Sequence, residues 1–177
     1  MVAQLHGATL DRVLPRESFV LPFEDELAQG IQRALAGAAD VGPYGARVSQ
    51  LVRPNASYVE LLRREMSDCQ EACRNDAAPF VLTHGEPNRG NVMLTQDGRL
   101  LLMDWGELAW GPPERDLVQL RDFGAPTGGR EPFRRFYELY WVLGEIAEYV
   151  ARFSAPHVGD AQDDHSWKEL LHYLRPE

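Results

Sequence analysis

The sequence predicts an α+β fold that is mainly α-helical and carries one small β-hairpin. Apolar residues recur at helical spacing on both sides of the chain's centre, over residues 1–78 and 112–177. Between them, residues 79–106 hold short β-favouring runs separated by polar loops. No internal repeat or strong linker interrupts this order, so we interpret residues 1–177 as a single domain.

The helices of the first half are predicted from apolar spacing and from proline. The stretch "PFEDELAQGIQRALAG" has acidic residues in its first turn and apolar residues spaced for one face. Pro54 breaks the next helical pattern, since proline lacks the N–H that a helix interior uses. Asn55 then suits the N-cap of a longer helix. We therefore expect that helix to begin after Asn55 and to end near "RNDAAP".

The second helical region contains the strongest helix signal in the chain. Pro113 suits the first turn of a helix in "PERDLVQLRDF". In "EPFRRFYELYWVLGEIAEYVARF" one apolar stripe repeats at helical spacing. Its members are Phe136, Leu139, Leu143, Ile146, Val150 and Phe153. A last helix is predicted in "SWKELLHYL".

The centre of the chain predicts a β-hairpin that brings two polar segments together. "PFVLT" favours a strand and is followed by the polar loop "HGEPNRGN". Two β-like runs, Val92 to Thr95 and Arg99 to Met103, then flank the turn Gln96-Asp97-Gly98. Because a hairpin folds the chain back on itself, Asp104 is expected to return beside the polar loop.

Three polar side chains therefore converge at one end of the hairpin. Glu86 and Asn91 lie in the loop, and Asp104 follows the second strand. Oxygen ligands of this kind suit Mg²⁺, which binds through one or two carboxylates plus substrate phosphates. The remaining carboxylate can orient or deprotonate a hydroxyl group. The alternatives are a solvated loop acid at Glu86 and turn or strand-end capping by Asn91 and Asp104.

Composition and net charge limit the classes of molecule that the protein is expected to bind. A net charge of −9 argues against nucleic-acid and anionic-membrane binding, and it suits either solubility or a cationic small molecule. Four acids outside the loop either belong to a solvated surface or would contact such a cation. They are Glu138, Glu145, Asp160 and Asp163.

Cys69 and Cys73 are interpreted as reduced thiols in a cytoplasmic protein. No apolar run approaches the roughly 20 residues that cross a bilayer.

The central motif resembles that of a known family. "HGEPNRGNVM" followed by "LLLMDWGELAWGPPERDL" is similar to the aminoglycoside phosphotransferases, whose members carry His-Gly-Asp-x-His-x-Gly-Asn and then Ile-Asp-Trp. The "LHGAT" and "LGEIAEYVARFSAPH" stretches are similar to helices of the same family. The resemblance implies the C-terminal lobe of the protein-kinase-like fold, with Mg²⁺ and ATP as cofactors.

The resemblance also implies roles for individual residues. Glu86 occupies the catalytic-base position, and Asn91 and Asp104 match the metal ligands. His84 and Asp116 match residues that support the catalytic loop. Substrate-binding residues are not identified, and the implied acceptor is a small hydroxylated molecule, for which the net charge would suit a cation.

Two departures from the family pattern affect the implied activity. Glutamate replaces aspartate at position 86, which moves the carboxylate outward by roughly one bond length, and Asn88 replaces the second histidine. The nucleotide-binding lobe is also not recognisable, because the residues before His84 contain no lysine and no glycine-rich phosphate loop. The sequence therefore predicts a C-terminal lobe that needs an N-lobe from a longer chain or from a separate partner for full activity. The alternatives are a module that binds a ligand without turnover and one that forms a homodimer.

Overall fold

The computed structural model describes residues 1–37, 41–124 and 128–174. In the described part of the chain, three α-helices precede four strands and three α-helices follow them. In chain order they are α1 (Val2–His6), α2 (Glu24–Ala36), α3 (Gly45–Asn75), β1 (Val81–Thr83), β2 (Val92–Leu94), β3 (Leu100–Leu102), β4 (Ala109–Gly111), α4 (Glu114–Leu117), α5 (Phe133–Phe153) and α6 (Ala161–Leu174). The predicted class, α+β and mainly helical, is confirmed. Residues 175–177 of the predicted C-terminal helical region lie outside the described residues.

The predicted hairpin is present. β2 and β3 pair antiparallel, with Val92 opposite Leu102 and Leu94 opposite Leu100. Its turn is closed by a bond from the Gly98 N–H to the Thr95 carbonyl oxygen at 3.0 Å. Gly98 has φ of 81°, which glycine adopts without a steric penalty.

A second strand pair was not predicted. β1 pairs antiparallel with β4, so that Leu82 lies opposite Trp110. On its other side Trp110 bonds the segment before α2: its N–H donates to Pro15 O at 2.9 Å, and its carbonyl oxygen accepts from Glu17 N at 2.8 Å. β4 has only three residues and ends in glycine, so neither length nor alternation marks it in the sequence.

The predicted helix break at Pro54 is wrong. α3 runs without interruption from Gly45 to Asn75 and contains Pro54 in its interior. Asn55 is not an N-cap: its Nδ2 donates to the Leu51 carbonyl oxygen at 2.8 Å, within the turn around the proline. Apolar side chains before and after Pro54, including Val48 and Val59, are buried. Their packing outweighs the roughly 3 kcal/mol that an interior proline costs a helix.

The chain divides into two compact units. The first comprises residues 1–19 and 69–138 and contains both strand pairs and the predicted catalytic loop. Phe19 lies in its core, with its ring centroid 5.7 Å from that of Phe133 and 5.3 Å from that of Phe136. The Phe19 backbone has φ of 55°, and its carbonyl oxygen accepts from Gln70 Nε2 and Arg74 Nη2 at 2.9 and 2.8 Å.

The second unit comprises residues 20–68 and 139–177. Most of its buried side chains come from four helices, which contribute among others Leu27, Val52, Ile146 and Leu170. All six members of the predicted α5 stripe, which extends through both units, are buried. Among the described helices, none is both long and apolar enough to cross a membrane. The single-domain organisation expected from the sequence stays a prediction.

Candidate functional site

The predicted catalytic loop, residues 84–91, begins where β1 ends. Its first backbone groups are held by Asp116, a fully buried residue in α4. Asp116 Oδ1 accepts from the Gly85 N–H at 2.7 Å, and Oδ2 accepts from the His84 N–H at 3.1 Å. His6 Nε2 lies 2.9 Å from the same Oδ2 atom. A buried carboxylate with three such partners keeps its charge stabilised while it fixes the start of the loop.

His84 connects the loop to the segment that carries Asp104. Its Nε2 lies 2.8 Å from the Met103 carbonyl oxygen, and its Nδ1 lies 3.2 Å from the Glu86 backbone nitrogen. A carbonyl can only accept and a backbone N–H can only donate, so these contacts assign the neutral tautomer with the proton on Nε2. The Trp105 ring covers the imidazole edge-on, with the ring centroids 4.8 Å apart.

Glu86 is half-buried and is held at both ends. Its side-chain Oε1 accepts from Asn88 Nδ2 at 2.9 Å, and its backbone carbonyl oxygen accepts from Asn91 Nδ2 at 2.9 Å. The side-chain amides of two neighbouring asparagines thus bond one glutamate. This arrangement fixes the peptide between Glu86 and Pro87 and restricts the carboxylate.

Asn91 and Asp104 are brought together by the hairpin register. The Met103 N–H donates to the Asn91 carbonyl oxygen at 2.8 Å, one step beyond the pair of Val92 with Leu102. Asp104 follows directly, with φ of 58° and ψ of 72°. The left-handed backbone ends the strand and starts a 3₁₀ turn over Trp105–Glu107. The predicted return of Asp104 to the loop is therefore observed in the backbone.

The donor set at this end of the hairpin fits Mg²⁺. The Asn91 amide nitrogen is used by Glu86, which leaves its Oδ1 oxygen for a cation. The Asp104 carboxylate is exposed, and no described residue forms a hydrogen bond or ion pair with it. Within residues 1–37, 41–124 and 128–174, no three His, Cys, Asp or Glu side chains cluster as a closed metal site. Two protein oxygens with open positions are what Mg²⁺ uses when phosphate oxygens complete its shell.

Arg115 braces the other side of the loop and was not singled out from the sequence. Its Nη1 donates to Thr83 Oγ1 at 3.1 Å and to the Glu107 carbonyl oxygen at 2.8 Å, and its Nε lies 3.4 Å from Glu17 Oε2. The guanidinium packs against Gly85, where an added Cβ would lie 2.6 Å from Nη1. Gly85 also has φ of 98°, so both backbone and space require glycine here.

His6 is the second supporting residue that the sequence reasoning missed. It lies 110 positions from Asp116, and its contact exists only because α1 packs beside β1. The only sequence signal for His6 is its place in "LHGAT". For Arg115 the signal is adjacency to Asp116.

Two of the four acids proposed to meet a cationic ligand, Glu138 and Asp163, are paired with arginines within the protein. Glu138 Oε1 lies 2.5 Å from Arg134 Nη1 and 3.6 Å from Arg121 Nη1. Asp163 is buried and accepts from Arg152 Nε at 2.7 Å. The geometry therefore does not favour Glu138 or Asp163 as ligands for a cation.

A match to a known family covers the whole of this site. The model of the phosphotransferase enzyme family matches residues 1–149, which include every loop and supporting residue described above. The chain belongs to the phosphotransferase enzyme family. The resemblance inferred from the central motif is thereby confirmed.

A sequence relative supports the same membership. Protein StrN of Streptomyces griseus is 42% identical to this phosphotransferase-family chain over 167 residues. The aligned region covers 91% of this chain and 51% of StrN. The chain therefore spans about half the length of this relative.

Solved structures show the same fold. The spectinomycin phosphotransferase APH(9)-Ia, in complex with ADP and spectinomycin, superposes with a TM-score of 0.76 at 16% identity, over 99% of this chain and 59% of that one. Its AMP-bound complex gives 0.75 at 15% identity, over 99% and 60%. These likenesses confirm the predicted phosphotransferase fold. Like StrN, these proteins extend well beyond the region that this phosphotransferase-family chain matches.

Proposed function

We propose that this chain supplies the catalytic loop and metal ligands for ATP-dependent phosphoryl transfer to a hydroxyl group of a small molecule. The observation that carries the proposal is the bonding between the loop and the hairpin. Asn91 bonds the Glu86 carbonyl oxygen through its side chain and Met103 through its backbone. Glu86, Asn91 and Asp104 are thereby held in one bonded framework.

Each residue has a distinct task in this proposal. The Glu86 carboxylate accepts a hydrogen bond from the acceptor hydroxyl and orients it toward the γ-phosphorus of ATP. It takes the hydroxyl proton as the new O–P bond forms and the bond from that phosphorus to the bridging oxygen breaks, which releases ADP. Asn91 and Asp104 hold Mg²⁺, which neutralises charge on the phosphate oxygens when bound. His84 and Asp116 keep the loop in place. Because the transition state of phosphoryl transfer is loose, positioning contributes more than basicity at Glu86.

The acceptor is proposed to be a small hydroxylated and cationic molecule. The net charge of −9 favours the approach of a cation. The structurally similar spectinomycin phosphotransferase was solved with spectinomycin and ADP, which supports a small-molecule acceptor and an adenine nucleotide. The acceptor-binding residues of this chain are not assigned.

The nucleotide is proposed to need a second lobe, from a longer chain or from a partner. Lys168 in α6 is the single lysine of the chain, and none precedes the catalytic loop. The hairpin also exposes apolar side chains on both strands: Met93, Leu94, Leu100 and Leu101. A surface of this kind favours a covering partner. It equally supports the alternative function, a ligand-binding or dimerising module without phosphoryl transfer.

The test is calorimetric titration of Mg·ATP into the 177-residue chain and its Asp104→Ala variant. Asp68→Ala is the matched control, because Asp68 is an exposed acid on α3. Saturable binding that is lost in Asp104→Ala and kept in Asp68→Ala would support the proposal. Saturable binding that persists in Asp104→Ala would contradict the metal-binding role of Asp104. Absence of binding to the chain alone at millimolar nucleotide is the result expected if the second lobe is required. Sedimentation of the same sample then distinguishes a dimerising module from a monomer.

A further inference from the structure

We propose that Asn88 is a positioning residue that selects which oxygen of the Glu86 carboxylate faces the acceptor. The inference rests on the proposed function of Glu86. Asn88 Nδ2 donates to Glu86 Oε1 at 2.9 Å, across only two positions of the loop. That oxygen is engaged within the protein, so Oε2 is the atom left to accept the hydrogen bond of a hydroxyl group.

The other end of the Asn88 side chain fixes the asparagine itself. Its Oδ1 accepts from the Gly90 N–H at 2.8 Å and from the Asn91 N–H at 3.2 Å, so Asn88 caps the 3₁₀ turn Arg89–Asn91. The amide therefore cannot rotate freely, and its Nδ2 is directed at Glu86 by the turn.

This bond addresses the extra methylene of glutamate. A glutamate side chain has one more rotatable bond than aspartate and loses more rotamer entropy when it is ordered. A directed N–H to one carboxylate oxygen removes part of that freedom before the acceptor arrives. The two departures from the family pattern, at positions 86 and 88, thus compensate each other, because Asn88 restores the positioning that the longer side chain of Glu86 lacks.

The same hydrogen bonds couple Glu86, the proposed base, to Asn91, a proposed metal ligand. Asn88 caps the turn that contains Asn91, and Asn91 Nδ2 returns to the Glu86 carbonyl oxygen at 2.9 Å. A closed ring of hydrogen bonds, each made by an asparagine side chain, therefore joins Glu86, Asn88 and Asn91. A shift of Asn88 would move the carboxylate relative to the Asn91 oxygen.

The Asn88→Asp variant distinguishes a role of Asn88 in positioning the Glu86 carboxylate from a role in folding the loop. Aspartate caps helical turns as well as asparagine does, so the turn is retained. It has no N–H for Glu86, and its second oxygen would face Glu86 Oε1 and repel it. Asn88→Ala loses both roles. Asn75→Asp, at the exposed end of α3, controls for the added charge.

The kinetic readout is phosphoryl transfer from Mg·ATP to spectinomycin, the probe acceptor, which the structurally similar phosphotransferase binds. We expect kcat to fall about 10- to 100-fold in Asn88→Asp, with the KM for Mg·ATP unchanged and a thermal midpoint above that of Asn88→Ala. Asn75→Asp should match the wild type. Equal kcat in Asn88→Asp and the wild type would overturn the inference, as would a thermal midpoint as low as that of Asn88→Ala, because that result would show a purely structural role.

The second readout needs no turnover. The side-chain amide resonances of Asn88, assigned by their loss in Asn88→Asp, are followed by ¹⁵N–¹H NMR in Glu86→Ala and in the exposed control Glu71→Ala. We expect them to shift and to exchange faster with water only in Glu86→Ala. Unchanged resonances in Glu86→Ala would overturn the inference. Absence of phosphoryl transfer in the wild type would count against activity of this chain without a second lobe, and the amide measurement would then decide the role of Asn88.

Discussion

His6 and Asp116 form a hydrogen bond of 2.9 Å between Nε2 and Oδ2, in a part of the chain where Asp116 is fully buried. Asp116 also accepts from two backbone N–H groups of the predicted catalytic loop. One carboxylate therefore joins α1, α4 and the residues that precede Glu86. The position of Glu86, the candidate base, therefore depends on Asp116, a carboxylate that supports the loop and has no proposed contact with the acceptor.

The Asp116→Asn variant should destabilise the fold. One of the two carboxylate oxygens becomes an NH₂ group that faces a donor, so a buried N–H loses its acceptor. We expect a loss of about 2–3 kcal/mol in the free energy of unfolding, measured by urea denaturation. Asp68→Asn removes an exposed acid and should change little. Equal stability of the two variants would contradict the supporting role of Asp116.

Cys73 should be unreactive in the folded protein. Burial, reinforced by the neighbouring Cys69 thiol and by nearby acids, raises the pKa of the Cys73 thiol to about 12. At pH 8 roughly one such thiol in 10,000 is the thiolate that alkylating reagents attack. Iodoacetamide should therefore label Cys73 only in urea, as mass spectrometry with fragmentation of the peptide that contains both cysteines would show. Rapid labelling of the native chain at Cys73 would exclude this environment.

Asp163 should make stability fall at acidic pH. Burial opposes its charge, but hydrogen bonds from Arg152 Nε and the Gly159 N–H hold the pKa of Asp163 below its usual range. Because the folded pKa is the lower one, the contribution is complete above the unfolded pKa of about 3.9 and is lost as pH falls through the folded value.

The urea midpoint measured from pH 6 down to pH 3 checks this expectation. Asp163→Asn should lower the midpoint near neutral pH and flatten its acidic decline. Asp25→Asn, which removes an exposed carboxylate from α2, is the matched control. A wild-type profile that Asp163→Asn leaves unaltered would show that other acids cause the decline.

Sequence reasoning succeeded where the signal is local. The hairpin follows from two β-favouring runs on either side of a turn that contains Gly98, and the α5 stripe follows from helical spacing; both are confirmed. It failed at Pro54, because the rule that proline ends a helix ignores the buried side chains on either side of it. It also missed β4, whose order comes from pairing with β1 and not from its own three residues.

The same distinction holds for the site. Glu86, Asn91 and Asp104 were predicted from a compact motif, and the backbone places them at one end of the hairpin as expected. Their catalytic and metal-binding roles stay predictions. The contacts of His6 and Arg115 depend on distant parts of the chain, so composition and spacing contain almost no information about them.

The left-handed backbone of Asp104 restricts how this position can diverge among descendants of the gene. Glycine, asparagine and aspartate adopt positive φ most readily, whereas β-branched residues there are strained. A lineage that loses the negative charge by neutral drift should therefore pass through asparagine or glycine, which keep the 3₁₀ turn intact. A homologue with asparagine or glycine at this position would keep the folded loop but lack the negative charge of Asp104.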